Sequence, residues 1–158
     1  MKKGFTIVEL IIGMAIVFVL LAVILINVNP VQNQKSAKDV KRISDLNLLD
    51  SAINAYRIDH QNYPDLENVL RTSILLPSGN TKIESVSSGW IDQDMTGYLS
   101  KLPTDPINDA TYHYSYIHNQ SGYEINAKLE TLPAQMQNDG GNDPNMYEMG
   151  NILTLISP

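Results

Sequence analysis

An unbroken apolar segment near the N-terminus constrains this chain more than any other feature of its 158 residues. Every residue from Leu10 to Ile26 is apolar or glycine, and the segment reaches back to Phe5 with only Thr6 and Glu9 as polar positions. A helix over residues 5–26 would be about 33 Å long at roughly 1.5 Å per residue, which matches the hydrocarbon thickness of a bilayer. The sequence therefore predicts a transmembrane helix over residues 5–26.

Glu9 is the one ionisable residue of this segment, and an ionised carboxylate inside hydrocarbon costs at least a few kcal/mol unless it is neutralised or paired. One interpretation is local, because Thr6 and Glu9 have the spacing of a capping box. The helix dipole also favours a carboxylate in the first turn. The other interpretation gives Glu9 a cationic partner from outside its own helix.

A short basic leader, Lys2-Lys3-Gly4, stands directly before Phe5. Together with Glu9, the fifth residue after Gly4, it resembles the prepilin signal of type IV pilins and of type II secretion pseudopilins. The resemblance implies that residues 1–4 are a leader peptide, that prepilin peptidase cuts after Gly4, and that the new amino terminus of Phe5 is methylated. It also implies that Glu9 pairs with the Phe5 amine of a neighbouring subunit in a filament.

The same resemblance implies the partners and the location of the chain. The partners are copies of itself in a helical filament, the peptidase, a membrane assembly platform, and the lipid bilayer before assembly. The location is a single pass through the cytoplasmic (inner) membrane with a cytoplasmic N-terminus, followed by an extracytoplasmic filament in the periplasm or at the cell surface. Charge alone leaves orientation open, because basic residues flank both ends of the segment: Lys2 and Lys3 before it, and Lys35, Lys38, Lys41 and Arg42 after it. The basic stretch after the segment is interpreted either as lying in the filament or as a solvated helix face without partners, and the second interpretation is favoured.

Composition limits the remaining part of the chain to one modest domain. About 130 residues follow the predicted span, enough for a single core. The formal net charge is -6 and becomes -8 if Lys2 and Lys3 are removed with the leader. An acidic chain argues against nucleic acid as a primary partner, because phosphate neutralisation needs clustered lysine and arginine. Cysteine is absent, so packing, subunit contacts or a bound ion must stabilise the domain instead of disulfides.

The pattern becomes amphipathic after Pro30, and it predicts a helix from about residue 32 to residue 60. Together with the span it would form a helix of about 55 residues, with residues 27–60 as its amphipathic half. Gly13 would let helices approach closely, and Pro30 would kink or interrupt the helix. The predicted buried stripe recurs every three or four residues: Val40, Ile43, Leu46, Leu49, Ile53 and Tyr56.

Residues 61–158 are predicted to form a globular head. Residues 66–75 are interpreted as a short helix, residues 91–100 as another helical turn or two, and Trp90 as a packing residue. Turn-forming residue types predict a turn at Pro77-Ser78-Gly79-Asn80.

Alternating side chains predict two antiparallel strands over residues 112–117 and 123–129, joined by a loop that contains Gly122. A third strand at about residues 152–156 would complete the sheet. The fold class is thus α+β: a long N-terminal helix packed against a small C-terminal antiparallel sheet. The stretch Leu102-Pro103-Thr104-Asp105-Pro106 before the first strand is a rigid turn, and it resembles the major pseudopilins.

No catalytic or cofactor-binding arrangement is identified in the sequence. His60, His113 and His118 lack a metal spacing, and the tyrosines of the first strand are interpreted as core residues rather than a stacking platform. The oxygen-rich loop 139–145 leaves calcium as an alternative to an exposed turn, which is favoured. Its candidate ligands are Asp139, Asn142 and Asp143.

Three functions remain open at this point. The first is a structural subunit of a type II secretion pseudopilus, and the second is a surface type IV pilin for adhesion, motility or DNA uptake. The third, from a different class, is a monomeric extracytoplasmic binding or enzymatic domain on a signal anchor. The major pseudopilin resemblance of residues 102–106 favours the first function.

Overall fold

The computed structural model describes residues 4–27 and 29–158 as two compact units, one ending at Gln34 and the other beginning at Lys35. The predictions for residues 1–3 of the leader lie outside the described residues. Two long helices are followed by a four-stranded sheet and a one-turn helix. The expected α+β class, with a helix packed against a small antiparallel sheet, is confirmed.

The helical region consists of two helices, α1 (Ile7–Asn27) and α2 (Pro30–His60). Asn29 accounts for the start of α2, because its side-chain Oδ1 accepts a hydrogen bond from the backbone N–H of Gln32 at 3.2 Å. An asparagine cap followed by proline at the first helical position is a favourable helix start, since neither the ring nor the missing N–H of proline disturbs the first turn. Pro30 therefore begins a helix.

Within residues 4–27 and 29–158, no helix has both the length and the apolar character that identify a membrane span. The transmembrane helix expected over residues 5–26 stays a prediction.

The core of the second unit lies between α2 and the sheet. Leu46, Leu49 and Ile53 of the predicted stripe are fully buried and Tyr56 is nearly so, but Val40 is 63% exposed. The prediction for Val40 was wrong because polar residues occupy the inward face of this part of α2. The buried residues there are Asp39, Arg42 and Asp45.

The sheet contains β1 (Arg71–Thr72), β2 (Tyr114–His118), β3 (Tyr123–Ala127) and β4 (Tyr147–Gly150), in that order and antiparallel throughout. The predicted hairpin is β2–β3, and its register pairs Tyr114 with Ala127 and His118 with Tyr123. One face carries the fully buried tyrosines of β2 and packs into the core with α2. The interpretation of the strand tyrosines as core residues is confirmed for Tyr114 and Tyr116, whereas Tyr112 lies before β2 and is half-buried.

The strand predicted at residues 152–156 was wrong, since the sheet ends four-stranded with β4 at Tyr147–Gly150. Gly150 has a φ of +145° and lies against the backbone of Tyr123, so only glycine fits there. Strand pairing ends after Gly150, where the backbone amides of Asn151 and Ile152 both donate to the Tyr123 carbonyl.

Residues 66–75 contain no helix, contrary to the prediction, and residues 91–100 contain one hydrogen-bonded turn rather than a regular helix. Asp65 and Asn68 have φ values of +77° and +58°, which a right-handed helix excludes. In the second segment, Ile91, Met95 and Leu99 are buried at helix-like spacing, but a Gly97 φ of +95° limits the structure to one turn at Met95.

Two local predictions in the head were right. The turn at residues 77–80 forms, with the Asn80 amide donating to the Pro77 carbonyl at 3.1 Å and Gly79 at a φ of +95°. Trp90 is fully buried in the core, where its indole N–H donates to the Pro103 carbonyl at 2.9 Å. The one-turn helix α3 (Pro133–Gln137) was not predicted.

Candidate assembly site and the buried polar contacts of the head

Glu9 lies in the first turn of α1 and forms the capping box expected from its spacing to Thr6. The amide and the hydroxyl of Thr6 donate to Glu9 Oε2 at 2.9 and 2.8 Å, and the Glu9 amide donates to Thr6 Oγ1 at 3.2 Å. The two bonds that Glu9 accepts use the same carboxylate oxygen, Oε2. Among the described residues, Glu9 Oε1 accepts no hydrogen bond, so the cap leaves this oxygen free for a second partner.

A shallow apolar groove of about 420 Å³ runs along α1 beside Glu9. Gly13 lies in this groove, and a Cβ atom added to it would meet nothing within 4 Å. A glycine in open space allows the backbone of a second helix to approach closely. The lining residues other than Glu9 and Gly13 are apolar: Phe5, Leu10, Met14, Val17 and Phe18.

Helix α2 carries a fully buried arginine, Arg42, that the sequence analysis placed on a solvated helix face. Its guanidinium donates two hydrogen bonds to Asp105, from Nε at 2.6 Å and from Nη2 at 3.1 Å. Nη1 donates to Asp39 at 2.8 Å and to Glu130 at 3.0 Å. The Tyr112 ring covers the guanidinium carbon at 4.7 Å.

This ion cluster joins three distant parts of the chain. Asp39 accepts hydrogen bonds from the backbone amides of Glu130 and Thr131 at 2.8 and 2.7 Å. Burial opposes the charged form of Arg42, but the hydrogen bonds that it donates to Asp105 and Asp39 raise its pKa above the ordinary value. Arg42 is therefore a permanent cation, and it holds α2 against residues 102–106 and 128–131.

The Leu-Pro-x-Asp-Pro stretch, residues 102–106, supplies hydrogen-bond acceptors to two buried side chains. Asp105 in this stretch is 3% exposed and accepts the two hydrogen bonds from Arg42. The Pro103 carbonyl is the acceptor for Trp90. Sequence reasoning missed the Arg42 contact because its partner is 63 residues away.

The basic residues that follow the predicted span do not form an unpaired patch on the head. Besides Arg42, Lys38 lies 3.6 Å from Glu130 and Lys41 lies 2.6 Å from Asp45. In the described part of the chain, these cations are neutralised by carboxylates. The interpretation of this stretch as a solvated helix face without partners was therefore wrong for Lys38, Lys41 and Arg42, whereas Lys35 is exposed.

The candidate calcium residues serve as turn and loop contacts. Asp139 accepts from the amides of Gly141 and Glu148, at 2.9 and 2.8 Å. Asp143 Oδ1 accepts from the Asn145 amide at 2.9 Å, and the Asn142 amide group donates to the Ile156 carbonyl at 3.2 Å. Across residues 4–27 and 29–158, no group of three or more histidine, cysteine or acidic side chains is arranged to hold a metal ion.

The three histidines are dispersed and make separate contacts. His60 stacks on Tyr56 at a ring distance of 4.1 Å, and a ring nitrogen of His113 lies 3.1 Å from the Asp109 carbonyl. His118 is buried, with Nε2 3.0 Å from the Asp65 carbonyl.

We predict that Tyr114→Phe will lower the free energy of unfolding by about 1.5–3 kcal/mol, the range for a hydrogen bond to a charged group. The Tyr114 hydroxyl donates to Asp45 at 2.8 Å inside the core. Burial and the Asp45 carboxylate raise the pKa of Tyr114, so the hydroxyl stays a donor at neutral pH. Denaturant unfolding measures the loss. Tyr147→Phe is the matched control because no hydrogen bond to its hydroxyl is present among the described residues, and equal losses in both variants would contradict the prediction.

Two protein-family models match this chain, one over the N-terminal segment and one over most of the remaining residues. Residues 29–144 match the family described as Type II secretion system (T2SS), protein G, and residues 1–25 match the Prokaryotic N-terminal methylation motif. The chain is similar to Type II secretion system core protein G of Klebsiella pneumoniae, with 30% identity over 66% of this chain and 69% of the relative.

Two further relatives with the same description extend the match. The protein from Pseudomonas aeruginosa is 28% identical over 95% of this chain and 94% of its own length. The protein from Vibrio cholerae is 27% identical over 70% of each chain. No solved structure gives a significant match. The family match covers most of the chain and confirms the pseudopilin resemblance of its N-terminal motif, so this chain belongs to the type II secretion system protein G family.

Proposed function

We propose that this chain is the structural subunit of a type II secretion pseudopilus, processed at its N-terminus and polymerised through its N-terminal helix. The observation that carries the proposal is Glu9, the only ionisable residue of an apolar helix, with one carboxylate oxygen unused beside an apolar groove. Membership of the protein G family supports the same function.

The proposed processing site is the peptide bond between Gly4 and Phe5. Prepilin peptidase would hydrolyse this bond and methylate the new amine of Phe5. Phe5, just before α1, is 87% exposed. Gly4 has open space around its Cα. Both features suit access by an enzyme that acts in the membrane.

The proposed assembly contact joins Glu9 of one subunit to the Phe5 amine of its neighbour. Such a pair would set the axial register of the filament, because any other register leaves a charge without a partner in an apolar environment. The Thr6 cap is compatible with this pairing, since it uses Oε2 and leaves Oε1 for the incoming amine. The apolar groove around Gly13 would receive part of a neighbouring helix.

In this proposal α1 crosses the cytoplasmic membrane once, with the N-terminus inside, before the subunit moves into an extracytoplasmic filament. The membrane assembly platform and the peptidase are its transient partners, and other copies of the chain are its permanent ones. The head has a structural role, and we assign no catalysis or nucleic-acid binding to it.

The mass of the mature N-terminus tests the proposal. We expect protein purified from its native membrane to begin at Phe5 with one added methyl group. Gly4→Val is the control, and it should retain the leader because a branched side chain occupies the cleavage position. A wild-type chain that still begins at Met1, or one cut after residue 26, would instead favour the signal-anchored domain.

Electron microscopy separates the pseudopilus from a surface pilus. A pseudopilus subunit at its natural level leaves cells without long surface fibres, whereas a type IV pilin forms them. Abundant surface fibres that contain this chain would show that it is a surface type IV pilin instead of a pseudopilus subunit.

A further inference from the structure

Arg57 is the one arginine of the chain without a carboxylate partner among the described residues. The other two arginines form bidentate pairs: Arg42 with Asp105 at 2.6 and 3.1 Å, and Arg71 with Asp65 at 2.8 and 2.7 Å. A guanidinium group binds carboxylates well because its planar fork of N–H donors matches their two oxygens. Arg57 therefore presents a fork that no carboxylate of its own subunit fills in the described part of the chain.

The position of Arg57 orients this fork. Arg57 lies in the last turn of α2, with its guanidinium carbon 4.4 Å from the centre of the Tyr63 ring. The ring is buried, and stacking against it leaves the N–H groups available, because these groups lie in the guanidinium plane. The helix dipole favours a cation in the last turn, but it does not account for the other donors that surround Arg57.

A cavity of about 250 Å³ lies beside Arg57, between the end of α2, the loop that follows α2 and the β2–β3 hairpin loop. Its wall includes the side-chain amides of Asn62, Asn119 and Gln120, each of which carries an NH2 donor. In Asn119 the carbonyl oxygen is already used, because it accepts from two backbone amides of the hairpin loop at 2.8 and 2.9 Å. Amide donors on several sides of one arginine form a site suited to an oxyanion.

Two carboxylates of the chain also line this cavity, and neither forms an ion pair with Arg57. Asp65 is bound by Arg71, and it also accepts from two backbone amides at 2.6 Å each. Glu67 is exposed and forms no ion pair with any described residue, so water solvates its charge. The charge of Arg57 is thus not neutralised by the walls of its own cavity.

We propose that this cavity receives an aspartate carboxylate from a second copy of the chain, and that Arg57 binds this carboxylate through two hydrogen bonds. The contact rests on the proposed function, because a filament holds a second head beside this one. With 17 acidic and 11 basic residues, two heads that meet repel each other unless a carboxylate of one reaches a cation of the other. Several cations are already paired within the head: Lys38, Lys41, Arg42, Arg71 and Lys101.

Three exposed aspartates of the head form no ion pair among the described residues and are the candidate partners: Asp59, Asp94 and Asp109. Hydrogen bonds from the side chain and the amide of Thr96 lower the pKa of Asp94. The amides of Tyr112 and Thr111, each at 2.8 Å, lower the pKa of Asp109. Both groups therefore stay ionised at neutral pH. Asp59 accepts from the Tyr98 hydroxyl at 2.7 Å.

The yield of filaments sheared from cells, quantified against total subunit, tests the role of Arg57. We expect Arg57→Met to reduce this yield by about threefold or more, because each contact between heads loses its cation. Arg57→Lys should give an intermediate yield, since lysine keeps the charge but not the fork. Unfolding of the full chain in detergent micelles should change little in either variant, because the contact does not exist within one subunit.

Glu67→Gln is the matched control from the same cavity. It removes a negative charge instead of a positive one, so filament yield should equal or exceed that of wild type. A wild-type yield in Arg57→Met, or equal losses in Arg57→Met and Glu67→Gln, would overturn the proposal.

Photocrosslinking identifies the occupant of the cavity without changing Arg57. With p-benzoylphenylalanine in place of Gln120, at the rim of the cavity, we expect a crosslinked dimer of this chain in cells that assemble filaments. The linked peptide should contain Asp59, Asp94 or Asp109, and the dimer should be absent when Glu9→Val blocks assembly. Exchange of charges, with Arg57→Asp and arginine at the identified aspartate, should then restore the yield that each single variant loses. A crosslink to a different protein, or to a peptide with none of these aspartates, contradicts the proposal.

Two outcomes separate this contact from the proposed function. If wild-type chains form filaments and Arg57→Met forms them equally well, the contact is absent and the pseudopilus assignment stands. If wild-type chains keep Met1 and form no filament, the pseudopilus assignment fails, and the contact fails with it.

Discussion

Replacement of Arg42 by methionine is expected to lower the free energy of unfolding of the head by about 3–5 kcal/mol, the cost of removing one partner from a buried ion pair. Asp39, Asp105 and Glu130 would remain in the interior, and among the described residues Lys38, 3.6 Å from Glu130, would be the one cation beside them. A loss of this size is a large fraction of the 5–15 kcal/mol typical of a domain. Denaturant unfolding in detergent micelles measures it.

Arg57→Met is the matched control for this substitution. Arg57 lies over the Tyr63 ring at 4.4 Å and forms no ion pair among the described residues, so its loss should cost about 1 kcal/mol or less. The double variant Arg42→Met with Asp105→Asn should be less destabilised than the sum of the two single variants. Equal effects of Arg42→Met and Arg57→Met would show that the buried cluster does not stabilise the head.

Replacement of Glu9 by valine is expected to leave membrane insertion and cleavage after Gly4 intact but to reduce filament yield by at least about tenfold. The Phe5 amine of each subunit would then enter the apolar filament core without an anionic partner. A penalty of about 1.4 kcal/mol at each contact is already a tenfold change in an association constant. Filaments sheared from cells, quantified against total subunit, give the yield.

Thr6→Val separates the assembly role of Glu9 from its role as a helix cap. This variant removes the hydroxyl that donates to Glu9 Oε2 but keeps the carboxylate and the Thr6 backbone amide. We expect it to assemble much better than Glu9→Val. If the two variants lose the same yield, or if Glu9→Val assembles normally, Glu9 is a cap and does not set the register.

The N-terminal helix and the central hairpin could be read from local patterns. The stripe from Leu46 to Tyr56 has helical spacing, and the strands β2 and β3 alternate around a loop that ends at Gly122. Such patterns reflect interactions between residues close in sequence, which short-range periodicity captures. The capping box of Thr6 and Glu9 was predictable for the same reason.

The edge strands and the buried charges could not be read in this way. β1 has two residues and β4 ends at Gly150, so neither is long enough for a period-two pattern to identify it. Arg42 stands among polar residues that resemble a solvated helix face, and its partners Asp105 and Glu130 are 63 and 88 residues away. Only tertiary packing brings these groups together.

The sequence by itself determined the family, the candidate processing site at Gly4 and Phe5, and the position of Glu9 at the start of an apolar helix. These features lie within a few residues of one another, so local order is enough to specify them. Tertiary structure alone decided that Arg42 is buried, that Asp105 binds it, and that Arg57 has no carboxylate partner among the described residues. The reason is physical: a charged side chain enters the interior only where distant segments supply its partners, and the fold determines which segments those are.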